Sequence, residues 1–386
     1  LRRGKAVSRG KLRKLFPGGN TAYGFYSFFD YLAGPEADWR FILKGGPGVG
    51  KSTFMRRLGE TMLDKGYDVE FFCCSSDNDS LDGVAIPALG VALLDGTAPH
   101  VVDPVAPGAT DEIINLGDYW DRARLWKSRR AIQEINREIA RLFDLAYKCL
   151  AHAKLFVEEI ESYYAGTPEP PDLRRLNQTL TEKIFGGNYG TGEGLARHLF
   201  ASAITPRGVV NHLASALGGA KRQVVIRGAN RRLRASLVEK VYREALDRGY
   251  YVEAFHCGLL PDCLEHLLIP ELDAAVITSN RYHPYTDQPD AEVLELEEMI
   301  EARVMEPYRE DLREATEQLD AAIRRAVGFL NRAKRAHDAL EEHYIPGMDF
   351  RGIDALRERI TERILARARS AAGGDMPPKG SELTGG

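Results

Sequence analysis

The sequence predicts an α/β protein made of two copies of one domain, each a mostly parallel sheet flanked by helices and carrying a helical-hairpin insertion. Three observations predict it. Residues 41–62 read as a short apolar run, a glycine-rich turn and an amphipathic helix. Residues 91–95 read as a buried strand ending in an acid, Asp95. Residues 41–100 recur at 224–283, an offset of 183 without a gap.

Taken in order, the chain opens with Arg2, Arg3, Lys5, Arg9, Lys11, Arg13 and Lys14 and no acid among its first fourteen residues. Residues 1–15 therefore read as a flexible basic arm, able to touch nucleic acid or an anionic membrane but more simply a solvated tail. Thr21-Ala22-Tyr23-Gly24 pairs with Thr205-Pro206-Arg207-Gly208 at an offset of 184. Thr-Pro reads as an N-cap and a first helical residue, so both copies are expected to start a short helix there.

Phe41–Lys44 is the first strand, and Gly45-Gly46-Pro47-Gly48-Val49-Gly50-Lys51-Ser52-Thr53 follows it. Phe54, Met55, Leu58 and Met62 then line one helix face, which Gly66 stops. Strand, G-x-x-x-x-G-K-S and helix together predict a phosphate-binding loop (P-loop) of the NTPase kind. Glycines let the backbone wrap phosphates and aim N–H groups at them, helped by the positive helix end. Lys51 has the reach for the β- and γ-phosphates, and the Ser52 hydroxyl suits Mg²⁺. Such a site needs a carboxylate on the metal side, and Asp95 at the end of Val91–Leu94 supplies it. Gly96, where many motor ATPases place a catalytic Glu, supplies none.

Tyr67–Phe72 reads as another strand, followed by an acidic loop through Asp82. At a strand's carboxyl end that loop would face the nucleotide crevice, which makes Asp77, Asp79 and Asp82 candidates to orient a water or an acceptor hydroxyl. The sequence does not choose among them. The guanine-reading Asn/Thr-Lys-x-Asp and the Leu-Ser-Gly-Gly signature are both absent from the sequence, which points to ATP with Mg²⁺.

The second copy keeps Gly228 for Gly45, Tyr250 for Tyr67, Phe255 for Phe72, Cys257 for Cys74 and His283 for His100. Its chemistry differs: Leu233 replaces Gly50, Arg234 replaces Lys51, Ala235 replaces Ser52 and Thr278 replaces Asp95. Only the first copy is expected to bind nucleotide productively. Arg231, Arg232 and Arg234 beside Arg222 and Arg227 form a cationic cluster. In an intramolecular pseudo-dimer with opposed loops, that cluster is expected either to reach the γ-phosphate as an arginine finger or to be a drifted surface turn.

Long amphipathic stretches follow each copy. Leu173, Leu176, Leu180 and Ile184 match Ile353, Leu356, Ile360 and Ile364 at an offset of 180. The expected boundaries are a first domain at 16–185 with its insertion at about 119–185, a Gly-rich linker at 186–195, a second domain at 196–368 with its insertion at about 291–368, and a flexible tail at 369–386. Arg122, Arg124, Arg129 and Arg130 open the first long helix and read either as a phosphate lid or as a solvated face. His256, Cys257, Cys263 and His266 have zinc-like types without zinc-like spacing and read as structural.

The motifs Phe16–Thr21, Gly45–Ser52, Asp77–Gly83 and Asp95–His100 resemble a poorly characterised bacterial family of tandem P-loop ATPases. The resemblance covers nearly all of the chain except its ends and implies ATP binding. The expected function is Mg²⁺-dependent ATP hydrolysis, with a small-molecule or nucleotide kinase and a nucleotide-gated interaction protein as alternatives; a small-molecule or protein substrate is unnamed. With 386 residues, 44% hydrophobic and 28% charged, a net charge of −4, five cysteines and no membrane-length apolar run, the chain reads as cytoplasmic.

Overall fold

The computed structural model describes residues 8–34, 37–98, 100–165, 173–286, 289–296 and 305–372. Arg2, Arg3 and Lys5 of the basic arm, residues 166–172 and the tail from 373 lie outside these residues. The chain is α/β, with two six-stranded mixed sheets flanked by helices.

The first half contains β1 (Leu12–Leu15), a hairpin of β2 (Gly18–Thr21) and β3 (Gly24–Ser27), β4 (Trp39–Lys44), α1 (Lys51–Asp64), β5 (Val69–Cys73), β6 (Leu81–Ile86), β7 (Val91–Asp95) and β8 (Asp111–Asn115). Two helices follow, α2 (Arg122–Ala165) and α3 (Leu173–Phe185). The second half repeats the series. It has β9 (Ala196–Leu199), the hairpin β10 (Ser202–Thr205) and β11 (Gly208–Asn211), the short α4 (Leu213–Ala216), β12 (Arg222–Arg227) and α5 (Arg231–Asp247). It continues through β13 (Val252–His256), β14 (Leu264–Ile269), β15 (Ala274–Ser279), β16 (Glu292–Glu295), α6 (Arg309–Tyr344) and α7 (Phe350–Ala372).

Sheet order is β1-β5-β6-β7-β4-β8 in the first half and β9-β13-β14-β15-β12-β16 in the second. In both, the third strand runs antiparallel to its two neighbours and the remaining pairs are parallel. The sheets are thus mixed but parallel in three of their five pairings, and the antiparallel member of the first is Leu81–Ile86, which the sequence does not mark as a strand. The central strands β4 and β7 are the two that place the loop and Asp95 side by side.

Two expectations near the N-terminus are corrected. Residues 12–15 are a sheet edge, not a flexible arm: β1 pairs with β5, and Arg9 and the Lys11 amide are tied to Asp64 and Asp68. Arg13 lies in an ion network, 2.7 Å from Glu70 and 2.6 Å from Glu253, while Arg197 meets the same two acids at 2.9 and 3.2 Å. Glu70, Glu253 and Arg197 are all buried, so each charge requires the others. Thr21 and Thr205 do not start helices. Each ends a strand, and its hydroxyl accepts the amide of the residue two ahead and donates to the Gly carbonyl three ahead. Gly24 and Gly208, at φ 93° and 105°, supply the left-handed turn that a helix start would not need.

The halves meet through reciprocal contacts. Phe16 and Phe200 exchange backbone hydrogen bonds of 3.0 Å each way. Between the sheets lies a shared apolar layer in which Ile42, Phe72 and Leu94 join Val225, Phe255 and Ile277. Helices α2 and α6 run antiparallel, with Ala153 and Val157 beside Leu319 and Ile323 at one level and Ala146 and Leu150 beside Ala326 and Leu330 at another.

The domain boundaries expected at 16–185 and 196–368 do not describe the packing. Leu173, Leu180 and Ile184 of α3 enter the core of the second half with Leu237 and Val241. Ile353, Ile360 and Ile364 of α7 enter the core of the first half with Phe54 and Leu58. Each half lends its last helix to the other. The helical stripes are where the periodicity puts them, but a stripe of apolar residues does not say which sheet it will cover. Residues 186–195 connect α3 to β9, and the amides of Gly190 and Gly192 are held by the carbonyls of Arg248 and Gly249.

Candidate functional site

The loop 45–50 lies between β4 and α1 in the first half. Gly48 and Gly50 have φ of 67° and 89°, left-handed values that favour glycine, and Gly50 is the N-cap of α1. Val49 is buried and anchors the loop from beneath. The ammonium of Lys51, on the first residue of α1, donates to the carbonyls of Gly45 at 2.6 Å and Gly46 at 3.0 Å. It also lies 3.5 Å from Asp95 Oδ2 on the neighbouring strand β7. Asp95 Oδ1 accepts the Thr97 amide at 2.9 Å, which fixes the carboxylate's plane. Thr97 Oγ1 in turn donates to Gly45, tying the two strand ends together. Ser52 Oγ accepts the Leu81 amide at 2.9 Å, so the hydroxyl faces the start of β6. Pro47 and Thr53 complete the segment, Thr53 on the first turn of α1.

The three acids of the following loop part company. Asp79 is 72% exposed and pairs with Arg207 of the β10–β11 turn, so it faces away from the loop. Asp77 lies 3.4 Å from Lys334 on α6. Asp82 is buried on β6, with Oδ1 3.8 Å from His100 Nε2, the Cys74 thiol beside its carboxyl, and no well-formed hydrogen bond to Oδ2. Burial pushes its carboxyl up to about 6; His100 opposes the rise and Asp95 adds to it. Of the three, Asp82 is the one buried near Asp95.

The second half contributes residues that the sequence did not single out. The corner between α6 and α7 lies on the loop. Glu341 Oε1 accepts the Gly48 amide at 3.2 Å. A methyl group on Gly46 would come to 3.0 Å from the Tyr344 ring, one on Gly48 to 3.1 Å from Ile345, and one on Gly50 to 3.6 Å from Phe350. Trp120, paired by a bridge to Met348, adds a ring 6.2 Å from that of Tyr344. The repeat held the signal: Glu161/Glu341 and Tyr164/Tyr344 are identical pairs at the offset of 180, each near the end of a long helix.

The corresponding loop in the second half is a different object. Asn230 caps α5 through its side chain, and Arg234 reaches back to the Gly228 carbonyl as Lys51 does to Gly45. Arg231 is engaged by Glu161 of α2 and by Cys263. Arg231 thus meets α2 and β14's loop, Arg234 reaches Gly228, and the residues of the second half that touch Gly46, Gly48 and Gly50 come from the α6–α7 corner. Arg122, Arg124, Arg129 and Arg130 are exposed on α2, where Arg129 stacks on Trp126. His256 pairs with His198 at 2.8 Å and Cys263 accepts from Arg231, while His266 lies with Glu265 and His283.

All five cysteines are free thiols. Among the described residues no helix is long and apolar enough to cross a membrane. Comparison of the chain with protein-family models, curated proteins and solved structures gives no match.

Proposed function

We propose that the first half binds ATP with Mg²⁺ at Gly45–Thr53 and hydrolyses it, and that the chain is of the tandem P-loop ATPase kind its motifs resemble. The observation that carries this reading is the convergence of Lys51, Ser52 and Asp95 where a strand, a glycine loop and a helix N-terminus meet, with Lys51 3.5 Å from Asp95. The loop amides and the α1 N-terminus suit phosphate oxygens, and the Lys51 ammonium, now on two carbonyls, would exchange them for phosphate. The Ser52 hydroxyl and the Asp95 carboxylate are hard oxygen donors that fit Mg²⁺, which when bound neutralises charge on the phosphoryl oxygens.

Water attacks the γ-phosphorus, the bond to the β-bridging oxygen breaks, and ADP leaves with that electron pair. The Asp82 carboxylate is the acceptor suited to the proton of the attacking water, since burial keeps its affinity for a proton above that of an ordinary carboxylate. The test is calorimetric titration with ATP and Mg²⁺ beside a phosphate-release assay. One site per chain with release of phosphate supports the reading; neither binding nor release overturns it.

The α6–α7 corner favours a second element, nucleotide gating. Glu341 accepts from an amide that a phosphate would use, so occupancy of the loop and the position of the corner are coupled. Hydrogen exchange of residues 337–352 with and without ATP reads this directly, and an unchanged rate there removes the gating element.

A further inference from the structure

The loop of the second half opens onto a cavity of about 750 Å³, within the size range of small-molecule sites. Gly228, Ala229, Arg231 and Arg234 border it at the start of α5. Val157 and Ile160 of α2 and Leu312 and Leu319 of α6 give it apolar walls. Glu265 on β14 also lines it, with a side chain 8% exposed and an Oε2 that has no hydrogen-bond partner. His283 Nδ1 lies 3.7 Å from that oxygen.

This acid–histidine pair repeats Asp82 and His100 of the first half at the offset of 183. The second half therefore lacks the lysine, the serine and the metal-side aspartate but has the acid and the histidine, and its acid faces a cavity. A metal is not what the group awaits. His266 Nδ1 accepts the Thr278 amide, which puts that ring's proton on Nε2; Asn280 Oδ1 accepts the Tyr282 amide, so its amino group faces His283 Nε2 and favours the tautomer with Nδ1–H toward Glu265. At 3.7 Å the His283 Nδ1–H is too far to hydrogen-bond Glu265 Oε2, and a buried carboxylate oxygen without a closer donor is costly unless something else supplies one.

We propose that this cavity binds a small organic anion carrying a hydroxyl or amino donor, without a metal ion. The donor meets Glu265 Oε2. The anionic group lies by the N-terminus of α5 next to Arg231 and Arg234, where Ala235 and Thr278 stand in place of metal ligands. Glu161 and Cys263 hold the Arg231 guanidinium in place, and its planar fork has five donors to share. The apolar body rests on the α2 and α6 side chains. This site does not depend on nucleotide binding at Lys51.

The probe is 8-anilinonaphthalene-1-sulfonate, which combines an anion, an aromatic body and one N–H donor, titrated by fluorescence into the full chain with EDTA present. One saturable site is expected. Glu265→Leu and Arg231→Met should each weaken it by about tenfold or more, Leu312→Trp should block it, and Lys51→Ala should leave it unchanged. Displacement of the dye by glucose 6-phosphate or by malate distinguishes phosphate esters from hydroxy acids. No saturable binding, or binding indifferent to both Glu265→Leu and Leu312→Trp, overturns the proposal. Should Glu265→Leu not fold, Glu265→Gln takes its place, with the same loss expected because the amide is the weaker acceptor.

Discussion

The two halves share a strand order, a Thr-Gly hairpin and a long helix from the opposite half laid across the loop, yet they differ at the loop itself. In the first half Glu341 reaches a backbone amide, Gly48; in the second Glu161 reaches a side chain, Arg231. The architecture survives this exchange because it rests elsewhere, on the Arg13–Glu70–Glu253–Arg197 network, the shared apolar layer and the exchanged helices α3 and α7. The proposed phosphate chemistry rests on few positions: Gly50, Lys51, Ser52 and Asp95, read as Leu233, Arg234, Ala235 and Thr278 in the other half. The same strand order thus carries two loops of different composition.

The largest expected asymmetry is in turnover. Asp95→Asn should lower ATP hydrolysis by about 10²–10³-fold, the range lost when one preorganised electrostatic group is removed, while Thr278→Ala should leave it unchanged. Phosphate release under saturating ATP measures both. Equal effects, or none, would break the division between a working and a silent loop. Binding should show the next largest contrast. Lys51→Ala should weaken ATP by about 100-fold, the upper range for a charge-assisted bond, and Arg234→Ala should leave the calorimetric isotherm of the first half in place.

Asp82 offers a contrast in pH. Its folded pKa of about 6 lies above the usual 3.8, so the folded state holds a proton that the unfolded chain releases. That stabilisation is complete below about pH 4 and is lost as pH rises through 6. Two units correspond to about 3 kcal/mol. Asp82→Asn stays neutral, so urea melts should show the variant gaining on the wild type between pH 4.5 and 7, by up to that amount. Parallel pH profiles for the two proteins would remove the buried carboxyl from the account. Hydrolysis by the wild type should rise over the same window, as the carboxylate becomes able to take a proton.

Much of this was legible in the chain. The loop, the strand ending in Asp95 and the apolar stripes of α3 and α7 are local patterns, and local patterns survive in sequence. Three features were not legible, each for a physical reason. Leu81-Asp82-Gly83-Val84-Ala85-Ile86 forms a strand although an acid and a glycine interrupt it, because both faces of β6 are buried and tertiary packing overrides local preference. Arg13 reads as part of a charged arm, since its burial depends on Glu253, distant in sequence. The exchange of α3 and α7 leaves no local trace, because either sheet offers an apolar surface to the same stripe. Glu341 stayed hidden for that reason, its partner lying in the other half.

The smallest predicted effect concerns that residue and tests the comparison most closely. Glu341 Oε1 holds the Gly48 amide at 3.2 Å, and a phosphate oxygen would need the same donor. A carboxylate next to the loop also repels a phosphate. Side chains about one-third exposed, as Glu341 is at 32%, feel solvent screening, so the repulsion is modest. Glu341→Gln keeps the helix and the shape and removes the charge. It should tighten ATP by about threefold to tenfold, with the gain shrinking as salt rises. Glu161→Gln, at the matching place across from Arg231, should leave ATP affinity as it is and instead loosen the second loop, because Arg231 loses its ion pair. If Glu341→Gln weakens ATP, the carboxylate is a ligand-positioning group and not a competitor for the loop. If Glu161→Gln changes ATP affinity as much as Glu341→Gln does, the two caps act as one unit through the antiparallel pair α2 and α6.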